Sequence, residues 1–225
     1  MDTKYGRITA LKQFRSRLYF WQERAFGWVE VNERAITQSS EGTDIILGKS
    51  GMLSRYDYIS TQYGLKKDQI CIGVSDRALY WWDETNREIL MFNGESVVPL
   101  STVKNIKSYV QNGSLHKNPI VVVDNKMREI LFGVVNNESI VYNELLGFFT
   151  SVYKILPYCY TNSIKRIIVA NRDDLREYGV RDDDAVSFEN TSLYPKIKYI
   201  INKNPYLNKT FDNSQFNGNF YVDDE

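Results

Sequence analysis

His116 is the only histidine in a chain of 225 residues, and it lies in a polar stretch, 112–118, that predicts a loop. A lone loop imidazole argues against both a histidine-built metal site and a Ser-His-Asp triad. Carboxylates are better placed. Asp83, Glu88, Asp124 and Glu129 stand at the ends of apolar runs, and two acids converging at roughly 5 to 10 Å hydrolyse glycosidic bonds. Their recurrence in two similar stretches assigns them to turns instead. The segment TDIILGKS, 43–50, resembles the end of a phosphate-binding loop, but that pattern needs glycine where Thr43 stands, and Gly42 comes one residue too early. Asp182, Asp183 and Asp184 are consecutive, whereas a calcium loop spaces its acids at alternate positions before a glycine. Arg15, Arg17, Tyr19 and Trp21 interleave guanidinium groups with rings, as sugar- and single-strand-binding surfaces do; the same alternation also describes a partly buried strand. The expectation is a chain without catalytic residues, metal ligands or a cofactor.

The elements that position these residues are strands. Residues 69–100 hold four short apolar runs, 70–74, 78–82, Glu88–Phe92 and 97–100, separated by Ser75-Asp76, 83–87 and Asn93-Gly94. That pattern predicts a four-stranded β-meander. In a sheet with one wet face apolar residues alternate with polar ones. Here Leu79 and Trp81 point one way while Tyr80 and Trp82 point the other, and Ile89 and Met91 against Leu90 and Phe92 repeat the observation. Both faces are dry, so the sheet is stacked between two others, as propeller blades are. Asp83-Glu-Thr-Asn-Arg-Glu-Ile-Leu90 matches Asp124-Asn-Lys-Met-Arg-Glu-Ile-Leu131 at a spacing of 41 residues, close to the blade period of about 40 to 50. A degraded third copy is Asp173-Asp-Leu-Arg-Glu-Tyr178. The competing reading is a favourable hairpin turn that arose twice independently.

Before the meander, the runs 8–14, 18–22 and 26–31 predict strands, with turns at 15–17 and at Glu23-Arg24. A long connection of low apolar content, 32–68, follows; its one clear strand is 45–47, and Tyr56, Tyr58 and Tyr63 predict that it packs on something. Ser101 is a candidate N-cap for a short helix carrying Val103, Ile106 and Val110 on one face and stopping at Gly113. Further strands are expected at 120–123, 129–135, 139–143, 148–155 and 163–170, with an acidic turn at 181–184 and last strands at 197–201, 210–211 and 219–222.

Composition sets the limits. With 43% hydrophobic and 14% aromatic residues the chain has ample material for a core, and disorder is excluded. One buried Trp removes roughly 150 to 250 Å² from water, at most about 4 to 6 kcal/mol, so Trp81 and Trp82 demand cover. Basic and acidic residues number 28 each; no net field draws the chain to nucleic acid or an anionic membrane, and no nucleic-acid specificity is expected. Cys71 and Cys159 sit in strand-like apolar runs, as small core residues of a reducing compartment do, with a disulfide between them left open. No stretch reaches about 18 apolar residues, so no membrane span is expected, and the first residues carry no recognisable export signal.

The segments AFGWVEVNERAI, LGKSGMLSRYDYISTQYG and YIINKNPYLNKTFDN, with LYWWDETNREILMFNG and VVNNESIVYNELLGFFTSVY between them, resemble the large virion proteins of crAss-like bacteriophages described as muzzle or stabilisation proteins of the tail or portal vertex. The resemblance runs from about Ile8 to Phe216. It implies a β-rich, non-enzymatic structural protein, assembled in the host bacterial cytoplasm into rings with itself and other tail subunits and located in the virion. Family members are far longer, so the chain looks like a C-terminal part of one, a split gene product or a truncated frame. Lys49 and Ser50 stand where the family pattern is richer in glycine. The combined expectation is a mainly β fold: a partial or small propeller-like stack of four-stranded meanders with a few short helices over 1–190, and the start of a further, truncated β segment over 191–225. Interface candidates are Tyr56, Asp57, Tyr58, Tyr63, Phe211, Asp212 and Asn213. The alternative is a receptor- or glycan-binding β-propeller module using Tyr56 and Tyr58.

Overall fold

Strands fill most of the described chain. The computed structural model describes residues 1–31, 35–38, 44–47, 53–66, 71–153, 159–162, 167–170, 175–178, 187–188 and 191–192. Two compact units divide the chain, Met1–Val180 and Arg181–Glu225. In the first, β1 (Ile8–Phe14), β2 (Arg17–Gln22), β3 (Ala25–Val31) and β6 (Leu53–Ser60) form one antiparallel sheet, with the hairpin β4 (Ala35–Gln38) and β5 (Asp44–Leu47) inserted before its last strand. The second sheet is β7 (Ile72–Val74), β8 (Leu79–Asp83), β9 (Glu88–Phe92) and β10 (Val97–Pro99). The helices α1 (Leu100–Val103) and α2 (Lys107–Asn112) lead to the third sheet, β11 (Leu115–Asp124), β12 (Glu129–Val135), β13 (Glu138–Asn143) and β14 (Phe148–Tyr153). β15 (Cys159–Asn162), β16 (Ile167–Ala170) and β17 (Leu175–Tyr178) make a three-stranded sheet. The second unit is described through the hairpin β18 (Ser187–Phe188) and β19 (Thr191–Ser192).

The middle sheet is dry on both faces, as its sequence predicts. Every residue of β8 is buried. Trp81 lies edge-on to Trp21 at 5.7 Å and against Phe26 at 4.9 Å, both from the first sheet. Tyr80, from the opposite face, meets Phe132 and Tyr142 of the third sheet at 6.3 and 6.0 Å. One core cluster therefore runs through three stacked sheets. A second cluster, Ile120, Val122, Leu131 and Val141, fills the far face of the third sheet, with Tyr153 and Tyr160 packed on it. Among the described residues no sheet closes on itself.

The 41-residue repeat is a turn and not a blade. Asp83 Oδ1 accepts from the backbone N–H of Thr85 and Asn86, and Asp124 Oδ1 accepts in the same way from Lys126 and Met127. Arg87 and Arg128 then take positive φ, 50° and 58°. The first turn joins the second and third strands of its sheet, and the other joins the first and second of the next. The matched segments thus occupy non-equivalent positions, and the spacing reflects turn chemistry. A further copy escaped the sequence comparison: Asn143 Oδ1 accepts from Leu145 and Leu146, and Gly147 has φ 72°. Of the degraded copy at 173–178, Asp173 and Asp174 lie outside the described residues.

Other expectations need correction. The connection 32–68 contains β6, the fourth strand of the first sheet. It was illegible because Leu-Ser-Arg-Tyr-Asp-Tyr-Ile-Ser alternates tyrosine with charge on an edge strand. The single helix is two, broken by Asn105 at φ 59°. Ser101 does not cap it; buried inside α1, its Oγ accepts from Ile89 N and its carbonyl from Ile106 N. Val103 is exposed rather than inward, whereas Val110 is buried and Gly113 ends α2 as expected. His116 lies on β11, not in a loop, with Nδ1 2.7 Å from the carbonyl of Asn118. Cys71 and Cys159 are both free thiols, the first buried and the second exposed, so only Cys71 is a core residue. The acidic turn and the last expected strands lie outside the described residues.

Candidate interaction surface

The first sheet presents to the outside a face built from rings. Register places Leu11 opposite Phe20, Tyr56 opposite Val29 and Tyr58 opposite Gly27, so these side chains share the face turned away from Trp81. Phe20 is fully buried there, beneath Tyr56 and Tyr58 at 6.5 and 5.6 Å, both edge-on. The two tyrosine rings meet at 5.8 Å. Gly27 makes room for this: a Cβ there would collide with the Asp57 carbonyl and the Phe20 ring.

The face ends in a polar knot at the N-terminal 3-10 turn Thr3–Tyr5. Tyr58 donates its hydroxyl proton to Gln22 Oε1 at 2.8 Å and accepts from the Asp2 N–H at 2.9 Å. Gln22 Nε2 donates to the carbonyls of Asp2 and Gly6. Tyr5 closes over Tyr58 at 5.0 Å. Around this knot Ile8, Leu11 and Tyr56 remain 46%, 45% and 39% exposed. The result is an apolar, partly aromatic outer surface on a sheet whose inner face is core, the composition of a surface that another layer covers.

The sequence-derived candidates separate. Tyr56 and Tyr58 come together on this face. Asp57 points to the inner face, opposite Trp28, and pairs with Arg55 at 2.8 Å. Arg55 and Arg17 lie over the Trp28 ring at 5.8 and 5.1 Å. Tyr63 is half-buried against the core, and burial together with the nearby Glu88 raises its phenol pKa. Phe211, Asp212 and Asn213 lie outside the described residues. Asp2 and Gln22 were missed; a buried glutamine on an aromatic strand was the available signal.

The acids at the strand ends are occupied with structure. Asp83, buried, accepts from Gly64 N, Thr85 N, Asn86 N and Asn86 Nδ2. Burial raises its pKa, while these hydrogen bonds pull the other way. Glu88 accepts from Thr102 Oγ1 and pairs with Lys107 at 2.8 Å, tying the helices to the second sheet. Glu129, its pKa raised by burial and then by Asp124, accepts from the Tyr153 hydroxyl. Tyr19 and Trp21 are buried, which removes them from any sugar-binding surface with Arg15 and Arg17. Among the described residues no cluster of His, Cys, Asp and Glu has the makings of a metal site, and no helix is long and apolar enough to cross a membrane.

The sequence model of a family described as Crassvirus muzzle protein matches residues 1–171 of the chain. No curated protein matches it.

Proposed function

The chain belongs to the Crassvirus muzzle protein family, and from that premise we propose that it is a non-enzymatic part of the tailed-phage particle that works by packing against neighbouring subunits. A structural role in the phage virion comes with the family. What supports the packing role is the outer face of the first sheet, where Ile8, Leu11 and Tyr56 stand half-exposed on an otherwise finished layer. The stacking of four-stranded meanders, with Gly73 of β7 pressed on Val121 and Val123 of β11, supports a propeller-like arrangement in which first strands of successive sheets lie together. An open stack of this kind needs a further layer on its outer face, and a neighbouring subunit in a ring supplies one.

The glycan-binding alternative fares less well. The Tyr58 hydroxyl is already engaged by Gln22 and Asp2, and Tyr56 and Tyr58 meet edge-on instead of offering parallel faces to a sugar. The test is complementation of a phage lacking the gene. A Leu11→Asp/Tyr56→Asp variant is expected to fold, with unchanged far-ultraviolet circular dichroism and a cooperative urea transition, but to be missing from purified particles. Normal incorporation of that variant sinks the packing role for this face.

A further inference from the structure

The outer strands of the three four-stranded sheets are guarded against pairing with another chain, β7 by its three-residue length and β14 least of all. β10 is three residues long, ends in Pro99 and runs into α1. β11 carries Lys117 and Pro119. β6 carries the Arg55–Asp57 pair and two irregularities of register. β1 carries Lys12 between Arg7 and Arg15. Charge, proline, shortness and bulges are the means by which sheet edges avoid intermolecular pairing. β14, Phe-Phe-Thr-Ser-Val-Tyr, has six residues, no charge and no proline; of these devices it has only the bulge opposite Val141 and Tyr142. Among the described residues β14 pairs with β13 alone, and Phe148, Thr150 and Val152 are exposed.

The turn entering β14 points the same way. Three turns share one design, an Asp or Asn side chain accepting from the second and third residues after it, with a positive φ at the fourth. Those two residues are Thr85 and Asn86 in the first, Lys126 and Met127 in the next, and Leu145 and Leu146 here. The turn's hydrogen bonds make no demand on these side chains, yet Leu145 and Leu146 are 63% and 57% exposed. Glu144 N donates to the Arg128 carbonyl, which brings exposed Met127 alongside. An apolar tip thus leads directly into an edge guarded by a single bulge.

We propose that β14 is a docking edge for a second copy of this chain, whose own β14 adds antiparallel about a two-fold axis between Thr150 and Ser151. In that register Phe148 faces Tyr153 of the copy, Phe149 faces Val152 and Thr150 faces Ser151. Aromatic on aromatic, aromatic on β-branched and hydroxyl on hydroxyl are the favourable cross-strand pairs. The faces agree: Phe149 and Val152 lie with Tyr142 and Ile140, whereas Phe148 and Tyr153 lie with Asn143 and Ser139. No charge on the edge meets its own copy, and a formal net charge of zero leaves no long-range repulsion between copies. A copy therefore complements this edge from Phe148 to Tyr153, with the bulged Thr150 beside the axis. The proposal deepens the packing role and rests on it.

The full chain is tested by light scattering over a range of concentrations. The expected result is a concentration-dependent dimer that Thr150→Lys, a change at an exposed position, weakens about tenfold or more by placing two lysines side by side across the two-fold axis, with unchanged near-ultraviolet circular dichroism. In a Cys159→Ser background, mixing Thr150→Cys with Ser151→Cys should give a mixed disulfide faster than either variant alone. A monomer at every concentration, association indifferent to Thr150→Lys, or no preference for the mixed disulfide overturns the proposal. Particle incorporation that still depends on Leu11 and Tyr56 would leave the broader packing role standing when this one falls.

Discussion

Tyr58 joins three parts of the first sheet through one hydroxyl, donating to a glutamine and accepting from the N-terminal segment. Gln22 is 2% exposed, so water does not replace the lost partner. Tyr58→Phe is therefore expected to cost about 1 to 2 kcal/mol, read as a lower urea midpoint, and to loosen residues 2–6 in hydrogen exchange; an unchanged midpoint would show the knot to be ornamental. Asp83 carries a different prediction. Its carboxyl is raised above 3.8 by burial, so the native state holds that proton more tightly than the unfolded chain does. The group's contribution to stability is then complete below the unfolded value of 3.8 and is lost as pH rises through the higher folded value. Asp83→Asn has no such titration, and its amide nitrogen would face backbone donors. The gap in urea midpoint between native protein and Asp83→Asn is expected to widen in favour of the native protein as pH falls from neutrality toward 4. A constant or narrowing gap would mean that the four hydrogen bonds outweigh burial.

Between elements, the closest approach is at Gly73 on β7. A Cβ there would lie 2.6 Å from Val123 Cγ2 and 2.9 Å from Val121 Cγ1 on β11. Valine side chains are stiff, so Gly73→Val must part the second and third sheets, at about 1 to 3 kcal/mol, measured as a lowered melting midpoint. Strands such as β1, β2, β3, β8, β9, β12 and β13 were legible within a residue or two because their aliphatic and aromatic runs are bounded by turn residues. β6 was not, since only Leu53 and Ile59 are aliphatic and its identity as a strand comes from pairing with β3. The candidate surface was half legible. Tyr56 and Tyr58 were named, but strand alternation, hidden by missing β6, sends Asp57 to the opposite face. The exposed edge of β14 was illegible for another reason: being an edge is a property of strand order, which no local pattern encodes.

Across the whole molecule, the middle sheet has no solvent face to retreat to. Trp81 touches the first sheet while its neighbour Tyr80 touches the third, so the three sheets lose their cores together. Trp81→Ala is expected to cost about 3 to 5 kcal/mol and to lower protection in hydrogen exchange across all three sheets at once; protection that survives in the first or third sheet alone would show separate folding units. The same sandwiching has a consequence during synthesis. The first sheet is complete at Ser60, but Trp21 and Phe26 find their cover only when the strand ending at Phe92 has been made. At bacterial translation rates that interval is about 2 to 6 seconds. For that time each nascent chain holds out an aromatic slab to its neighbours on the polysome, and chaperones have something to recognise.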